Sequence, residues 1–222
     1  MKRIKLHLRK LRFIEFVRVA YPNTFTAALL WLPIKLRLLN WQPMIIPRRE
    51  SLADESVPFE SLPQTAQSHL KAYLPHLAET GYLDPLFECT KSTGAVGEII
   101  VGVAIRVRHT SGTHVRQTLF SYTEQVTSRI QTNLITFHSD STTTATTDSR
   151  RTFDRIPGSS ASYHPGKNFE ELLKIHDRKL NLSTRTIVKI NDNADLIREE
   201  DALSKRYFSH MIHRGVMTEV LE

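Results

Sequence analysis

GEIIVGVAIRVRHTSGTHVRQTLFSY, residues 97–122, decides the fold class of this chain. Ile99, Val101, Val103, Ile105 and Val107 fall at every second position, separated by Ile100, Gly102, Ala104 and Arg106. Side chains alternate across a strand, so residues 97–108 present one unbroken β-branched face. Ser111-Gly112 supplies turn chemistry, and residues 114–122 return as the hairpin partner. On the return, Thr118, Phe120 and Tyr122 alternate with Gln117, Leu119 and Ser121, so neither face is purely apolar. Such a strand either lines a ligand pocket or lies in a half-covered sheet.

Working outward, residues 126–138 read as a third strand, with Val126, Ile130 and Leu134 on the face shared by Ser128, Thr132 and Thr136. Ser139-Asp140-Ser141 turns the chain into a fourth, Thr-rich strand at 142–147, which reads as an edge because it lacks large apolar groups. Upstream, Ser61-Leu62-Pro63-Gln64 has the form of a capping box. Leu62, Ala66, Leu70, Leu74 and Leu77 then follow at helical spacing, and Gly81 suits a left-handed helix end. Pro75 bends or interrupts that helix near its end. Downstream, residues 158–167 read as a loop and Asn168 as the cap of a helix through Leu180, striped by Phe169, Leu172, Leu173 and Ile175 or His176. Residues 186–190 give a short strand, and 192–195 open a last helix that Gly215 ends.

The expected fold is therefore α+β: a four-stranded antiparallel meander packed by helices, with an N-terminal basic helical arm. Over residues 61–150 this element order is similar to that of cystatin-like α+β folds, in which one helix packs across a curved antiparallel sheet. The likeness is one of order, and that fold class hosts unrelated functions. The expected divisions are an arm at 1–41, a proline-containing linker at 42–60 (QPMIIPRRESLADESVPFE) and the α+β domain at 61–222.

Charge is distributed unevenly along these divisions. Residues 1–50 carry eleven Lys/Arg against Glu15 and Glu50, a balance of +9, whereas the whole chain of 222 residues is only +7. The body is thus close to neutral, and the basic segment is interleaved with Leu, Ile, Phe and Trp. That combination is drawn to a polyanionic surface. In residues 3–20, Ile4, Leu8, Leu11, Ile14 and Val17 follow helical spacing with cations between them, as in a helix lying in a membrane interface. The longest uncharged run, 19–34, spans sixteen residues and includes Pro22, Asn23 and Pro33. A spanning helix wants about twenty apolar residues, so neither a membrane span nor a cleaved signal is expected.

The residues expected to contact an anionic membrane are Lys2, Arg3, Lys5, Arg9, Lys10 and Arg12 for headgroups, and Leu8, Leu11, Phe13, Trp31 and Trp41 for the acyl boundary. This places the protein in the cytoplasm, peripheral at the inner face of the membrane. One alternative is a ligand-binding or self-associating domain that uses its sheet face. Another is nucleic-acid contact by the arm, disfavoured because the arm's apolar residues are mainly aliphatic and do not stack on bases.

Signatures of chemistry are sparse. No G-x-S-x-G, Walker loop, G-x-G-x-x-G, H-E-x-x-H or C-x-x-C occurs, and one cysteine, Cys89, excludes an intramolecular disulfide. His210 and His213 share a helix face but sit among Lys205, Arg206 and Arg214, which disfavours a divalent ion. His164, in the Ser/Gly-rich loop, is the best-placed acid/base yet has no nucleophile at known spacing. The chain accordingly reads as non-enzymatic, with no catalytic, cofactor or metal residues.

Overall fold

The computed structural model describes residues 3–20, 24–39, 44–47, 51–93, 99–122, 127–149 and 156–220. In chain order the elements are β1 (Arg3–Leu6), α1 (Phe13–Ala20), α2 (Thr24–Lys35), β2 (Met44–Pro47), α3 (Leu52–Glu55), β3 (Ser56–Val57) and α4 (Gln64–Glu79). The long strands follow: β4 (Tyr82–Thr93), β5 (Ile99–His109), β6 (Val115–Tyr122), β7 (Thr127–Phe137), β8 (Thr143–Thr147) and β9 (Ser160–Tyr163). α5 (Phe169–Asn181), α6 (Asn193–His213) and β10 (Met217–Glu219) complete the chain. The class is α+β.

Two compact units result. The larger comprises 52–149 and 158–199; the smaller gathers 1–51, 150–157 and 200–222.

In the larger unit seven strands form one mixed sheet in the order β3-β4-β5-β6-β7-β8-β9. The expected hairpin and third strand are present in register, with Ile105 opposite Thr118 and Thr118 opposite Thr132. The four-stranded meander requires correction, because β4 and β9 add to it on either side, and β3 beyond β4. β4 escapes a period-two reading because the alternation breaks between Leu83 and Leu86, where Asp84 has φ of 53° beside Pro85. β9 lies in the expected 158–167 loop and pairs parallel with β8, so β8 is no edge. Residues 186–190 supply an isolated bridge, His138 to Ile187, instead of a strand.

Cross-strand partners point to the same side of a sheet. One face therefore carries Val103, Ile105 and Val107 of β5, Arg116, Thr118, Phe120 and Tyr122 of β6, and Thr132, Leu134 and Thr136 of β7. Leu62, Ala66, Leu70 and Leu77 from the α4 region and Leu172 from α5 cover that face and close the core. The N-terminus of α4 differs from expectation: Ser61 ends a 3-10 turn, and Pro63 holds the cap position without a side-chain bond. Pro75 is accommodated inside the helix, and Gly81 follows its end at φ of 82°. Asn168 caps α5 as expected and forms a reciprocal box with Glu171.

In the smaller unit β1 pairs antiparallel with both β2 and β10. Residues 3–20, expected as one basic helix, are thus a strand, a 3-10 turn (Leu8–Lys10) and the helix α1. Ile4 and Leu6 alternate with Lys5, which satisfies a strand as well as a helix, and backbone pairing on both sides decides the outcome. The expected 42–60 linker is folded where it is described, as β2, α3, β3 and the 3-10 turn Phe59–Ser61.

Candidate functional site

The residues expected at a membrane surface fall into distinct environments. Leu8 and Leu11 are buried with Ile4, Leu6, Phe16, Ala27, Ile34, Met211, Val216 and Met217, forming the core of the smaller unit. A side chain already withdrawn from water gains nothing from lipid, so these two leucines are removed from the candidate contacts. Trp31 is half-buried and its Nε1 donates to the Leu11 carbonyl at 3.4 Å. Phe13 remains exposed, with its ring edge-on to Trp31 at 5.4 Å. Lys5, Arg9, Lys10 and Arg12 are all exposed. Lys2 and Trp41 lie outside the described residues, and of Arg3 only the backbone is described.

The sequence reading missed the apolar residues that do face solvent. α2 (TFTAALLWLPIK) is apolar almost all round, a pattern that normally belongs to a buried helix. Ala27 and Ile34, one heptad apart, point into the core, whereas Leu29, Leu32 and Leu36 share the opposite side. Leu29, Leu32, Leu36 and Leu38 are between 53% and 73% exposed, with Ile14 and Leu39 exposed as well. Arg37 ends the helix at φ of 63°, a left-handed conformation that normally calls for glycine, and the Leu38 N–H closes back on the Pro33 carbonyl. An L-residue held there costs about 1 kcal/mol. The result is a cation flanked by two outward leucines.

Cations gather at the end of α2. Lys35 Nζ sits 5.7 Å from the Trp31 ring centre and donates to the Arg9 carbonyl at 3.2 Å, so its charge lies among those of the 9–12 turn. Glu15 does not offset these cations. It is fully buried, bonded by Arg214 Nη1 and Nη2 at 2.9 and 2.7 Å, and its Oε2 accepts the Arg12 N–H at the start of α1. The single acid of the described basic segment is therefore internally neutralised. What solvent meets is leucine and cation, a composition with two means of holding an anionic interface.

The larger unit exposes fewer large apolar side chains, Leu83 and Leu182 among the described residues. Toward β8 and β9 its covered sheet face turns polar, and Thr132, Thr136, Thr144 and Thr146 are all buried. His176 of α5 descends onto them, with Nε2 2.9 Å from Thr136 Oγ1 and Nδ1 3.1 Å from Thr146 Oγ1. Thr136 donates its hydroxyl to the Thr113 carbonyl, so His176 Nε2–H is the donor to Thr136 and Nδ1 accepts from Thr146. Nearby, the Tyr82 hydroxyl and His114 Nε2 are hydrogen-bonded at 2.8 Å, while His114 Nδ1 meets Thr113 Oγ1 at 3.0 Å. Burial depresses both imidazoles, His114 to about 3 and His176 to about 4, and pushes the Tyr82 phenol up. These networks are filled by the protein's own groups, which makes them core polarity and not a reaction centre.

One buried cation is less well matched. Arg116 is 4% exposed, and its Nη2 donates to the Tyr73 hydroxyl at 2.6 Å. The Phe169 ring lies 3.7 Å from its guanidinium carbon. Burial lowers its pKa, with Tyr73 and Tyr82 opposing. Confining a cation without a carboxylate costs several kcal/mol, against about 0.5–2 kcal/mol returned per ring face.

The remaining chemical candidates come apart. His164 is half-buried with Nε2 unpartnered among the described residues, and no hydrogen bond joins it to a nucleophile. Cys89 packs partly buried at the edge of the larger core. Among the described residues no group of three or more His, Cys, Asp or Glu is placed to hold a metal ion. No helix among them is long and apolar enough to cross a membrane. Compared with known protein families, curated proteins and solved structures, the chain shows no match to any of them.

Proposed function

We propose that this chain is a peripheral docking protein whose smaller unit rests on an anionic membrane surface through the leucine-and-cation face of α2. The observation that carries the reading is the outward set Leu29, Leu32, Leu36 and Leu38 beside Lys35 and Arg37. A soluble monomer seldom leaves a contiguous apolar patch of more than a few hundred Å² open to water. Lipid fits this occupant better than nucleic acid, because the exposed apolar groups are aliphatic and Trp31 is engaged by Leu11, Phe13 and Lys35.

Each exposed leucine moved to the acyl boundary contributes on the order of 1 kcal/mol, and each cation near the headgroups about the same. Residues 9–12 and 35–37 therefore suffice for reversible attachment, weakened by salt.

The test is flotation of the full chain on phosphatidylcholine vesicles with and without phosphatidylserine, at low and high salt. Binding to the anionic vesicles alone, reduced by salt, is expected. A Leu32→Asp/Leu36→Asp variant is expected to lose affinity by about 30-fold or more, from about 2 kcal/mol of apolar transfer. Equal flotation of that variant, or none by the native chain, overturns the reading. Concentration-dependent dimerisation abolished by the same variant would instead assign the face to a second copy.

A further inference from the structure

Two of the three nitrogens of Arg116 have no hydrogen-bond partner among the described residues, although the side chain is shut away from water. Only Nη2 is used, by the Tyr73 hydroxyl, which in turn meets Thr118 Oγ1 at 3.1 Å. Rings attend the guanidinium, with centroids of Phe169, Tyr73 and Tyr82 at 3.7, 5.5 and 5.8 Å. Ring faces attract the cation, but they accept no conventional in-plane hydrogen bonds. Nε–H and the Nη1 donors are left dry and unused. A buried guanidinium with idle in-plane donors fits a planar, charged acceptor, and carboxylate matches that geometry.

Phe169 covers one face of the guanidinium. The residue also lines a crevice of about 540 Å³ where the end of α4 meets the start of α5, together with His76, Thr80, Asn168, Glu170 and Leu173. That volume is in the range of small-ligand sites. Phe169 is the residue shared by the crevice wall and the Arg116 environment. The reciprocal bonds of Asn168 and Glu171 hold the helix start in place, which leaves the Phe169 side chain as the element shared by the crevice and the guanidinium. Phe169 and Leu173 give the crevice apolar walls, which suit an acid with an organic body better than inorganic phosphate. Exposed Glu170 at the rim opposes an anion only weakly through water.

We propose that Arg116, Tyr73 and the α4–α5 crevice form a binding site for a small organic carboxylate, with Phe169 as the side chain that swings aside to admit it. The site lies within the larger unit, and it stands or falls independently of the docking face.

The probes are benzoate, its neutral counterpart benzamide, and inorganic phosphate, titrated into the full chain. The readouts are the arginine Nε–H resonances and the thermal midpoint. Benzoate is expected to shift one Nε–H resonance, the one absent from Arg116→Met, and to raise the midpoint, while benzamide does neither. Phe169→Ala is expected to tighten benzoate binding about 3-fold or more by removing the gate. Arg116→Lys keeps the charge but loses the planar donors, and is expected to weaken binding about 10-fold or more. Arg116→Met is expected to fold, since it replaces an unpaired buried cation by an apolar chain; if it does not, Arg116→Lys decides. No benzoate response in either the native chain or Phe169→Ala overturns the proposal. So does undiminished benzoate affinity in the Arg116 variants, or phosphate binding as tightly as benzoate.

Discussion

His114 and His176 make a residue-level argument about acid. Each is neutral in the folded chain because burial opposes charging, with pKa values of about 3 and about 4 against 6.5 for an unperturbed imidazole. His109 and His176 face His114, and Lys179 and His138 face His176, adding to the same depression. Above pH 6.5 neither state binds these protons, so their contribution to stability is complete. As pH falls below 6.5 the unfolded chain takes up protons that the folded chain refuses until about pH 4, and stability is lost across that window. The slope is about 1.4 kcal/mol per pH unit for each histidine. Urea midpoints at pH 7.5, 6.0 and 5.0 are expected to fall, and His176→Gln to make the decline shallower. A midpoint unchanged down to pH 5 would show that these imidazoles are charged or solvated in the native state. The pairing of Thr-rich β8 with a histidine from α5 was hidden in the sequence. Threonines without large neighbours read as a solvated edge, and only the fold supplies the imidazole that satisfies their hydroxyls.

Elements with strong local signals were legible, and those made by neighbours were not. The alternation of β5 and the Asn168 box stand in the sequence because each is set by residues a few positions apart. β9 is four half-buried residues (SASY) that exist as a strand because Thr144–Thr147 offers them a parallel edge. β4 hides behind Asp84 and Pro85 for the complementary reason: a local irregularity masks a strand that long-range pairing sustains. The contrast has a measurable consequence at α5. Its cap is the local device whose removal is cleanly interpretable, since Asn168 Oδ1 accepts the Glu171 N–H at 3.0 Å and Glu171 Oε2 accepts the Asn168 N–H at 3.1 Å. Asn168→Ala is expected to cost about 1 kcal/mol, a fall of about 2–4 °C in Tm by calorimetry for a chain this long. A Gly substitution there is expected to cost only a few tenths of that. If Ala and Gly prove equally mild, the helix start is held by its packing and not by its cap.

At the scale of the whole molecule, the basic segment reads in sequence as a tail, yet it is the folded half of a unit completed by the end of the chain. Glu15 and Arg214 are 199 positions apart and share a two-bond ion pair, and β1 is flanked by β2 and β10. This explains why only part of the candidate docking face was visible beforehand. Helical spacing assigned Leu8 and Leu11 to the acyl boundary of a membrane, but their partners are Phe16, Ile34 and Met211 inside the unit, while the α2 leucines on the other side are exposed. The pair at Glu15 tests this arrangement. Its carboxylate is fully buried while Arg214 keeps a little solvent contact, so Glu15→Ala removes the two-bond partner of a mostly buried guanidinium, at a cost of about 3 kcal/mol. Hydrogen exchange is expected to accelerate at the amides of Ile4–Leu6 and Met217–Glu219 and to remain unchanged at those of Ile105 and Leu134, because the lost interaction belongs to the smaller unit alone. Membrane attachment is then expected to weaken together with that local protection, whereas Leu32→Asp/Leu36→Asp is expected to weaken attachment by about 30-fold or more with protection intact. Two variants that silence the same surface, one by dissolving its support and the other by changing its chemistry, separate a folded docking face from a basic tail. A tail would float on anionic vesicles equally well with Glu15 replaced.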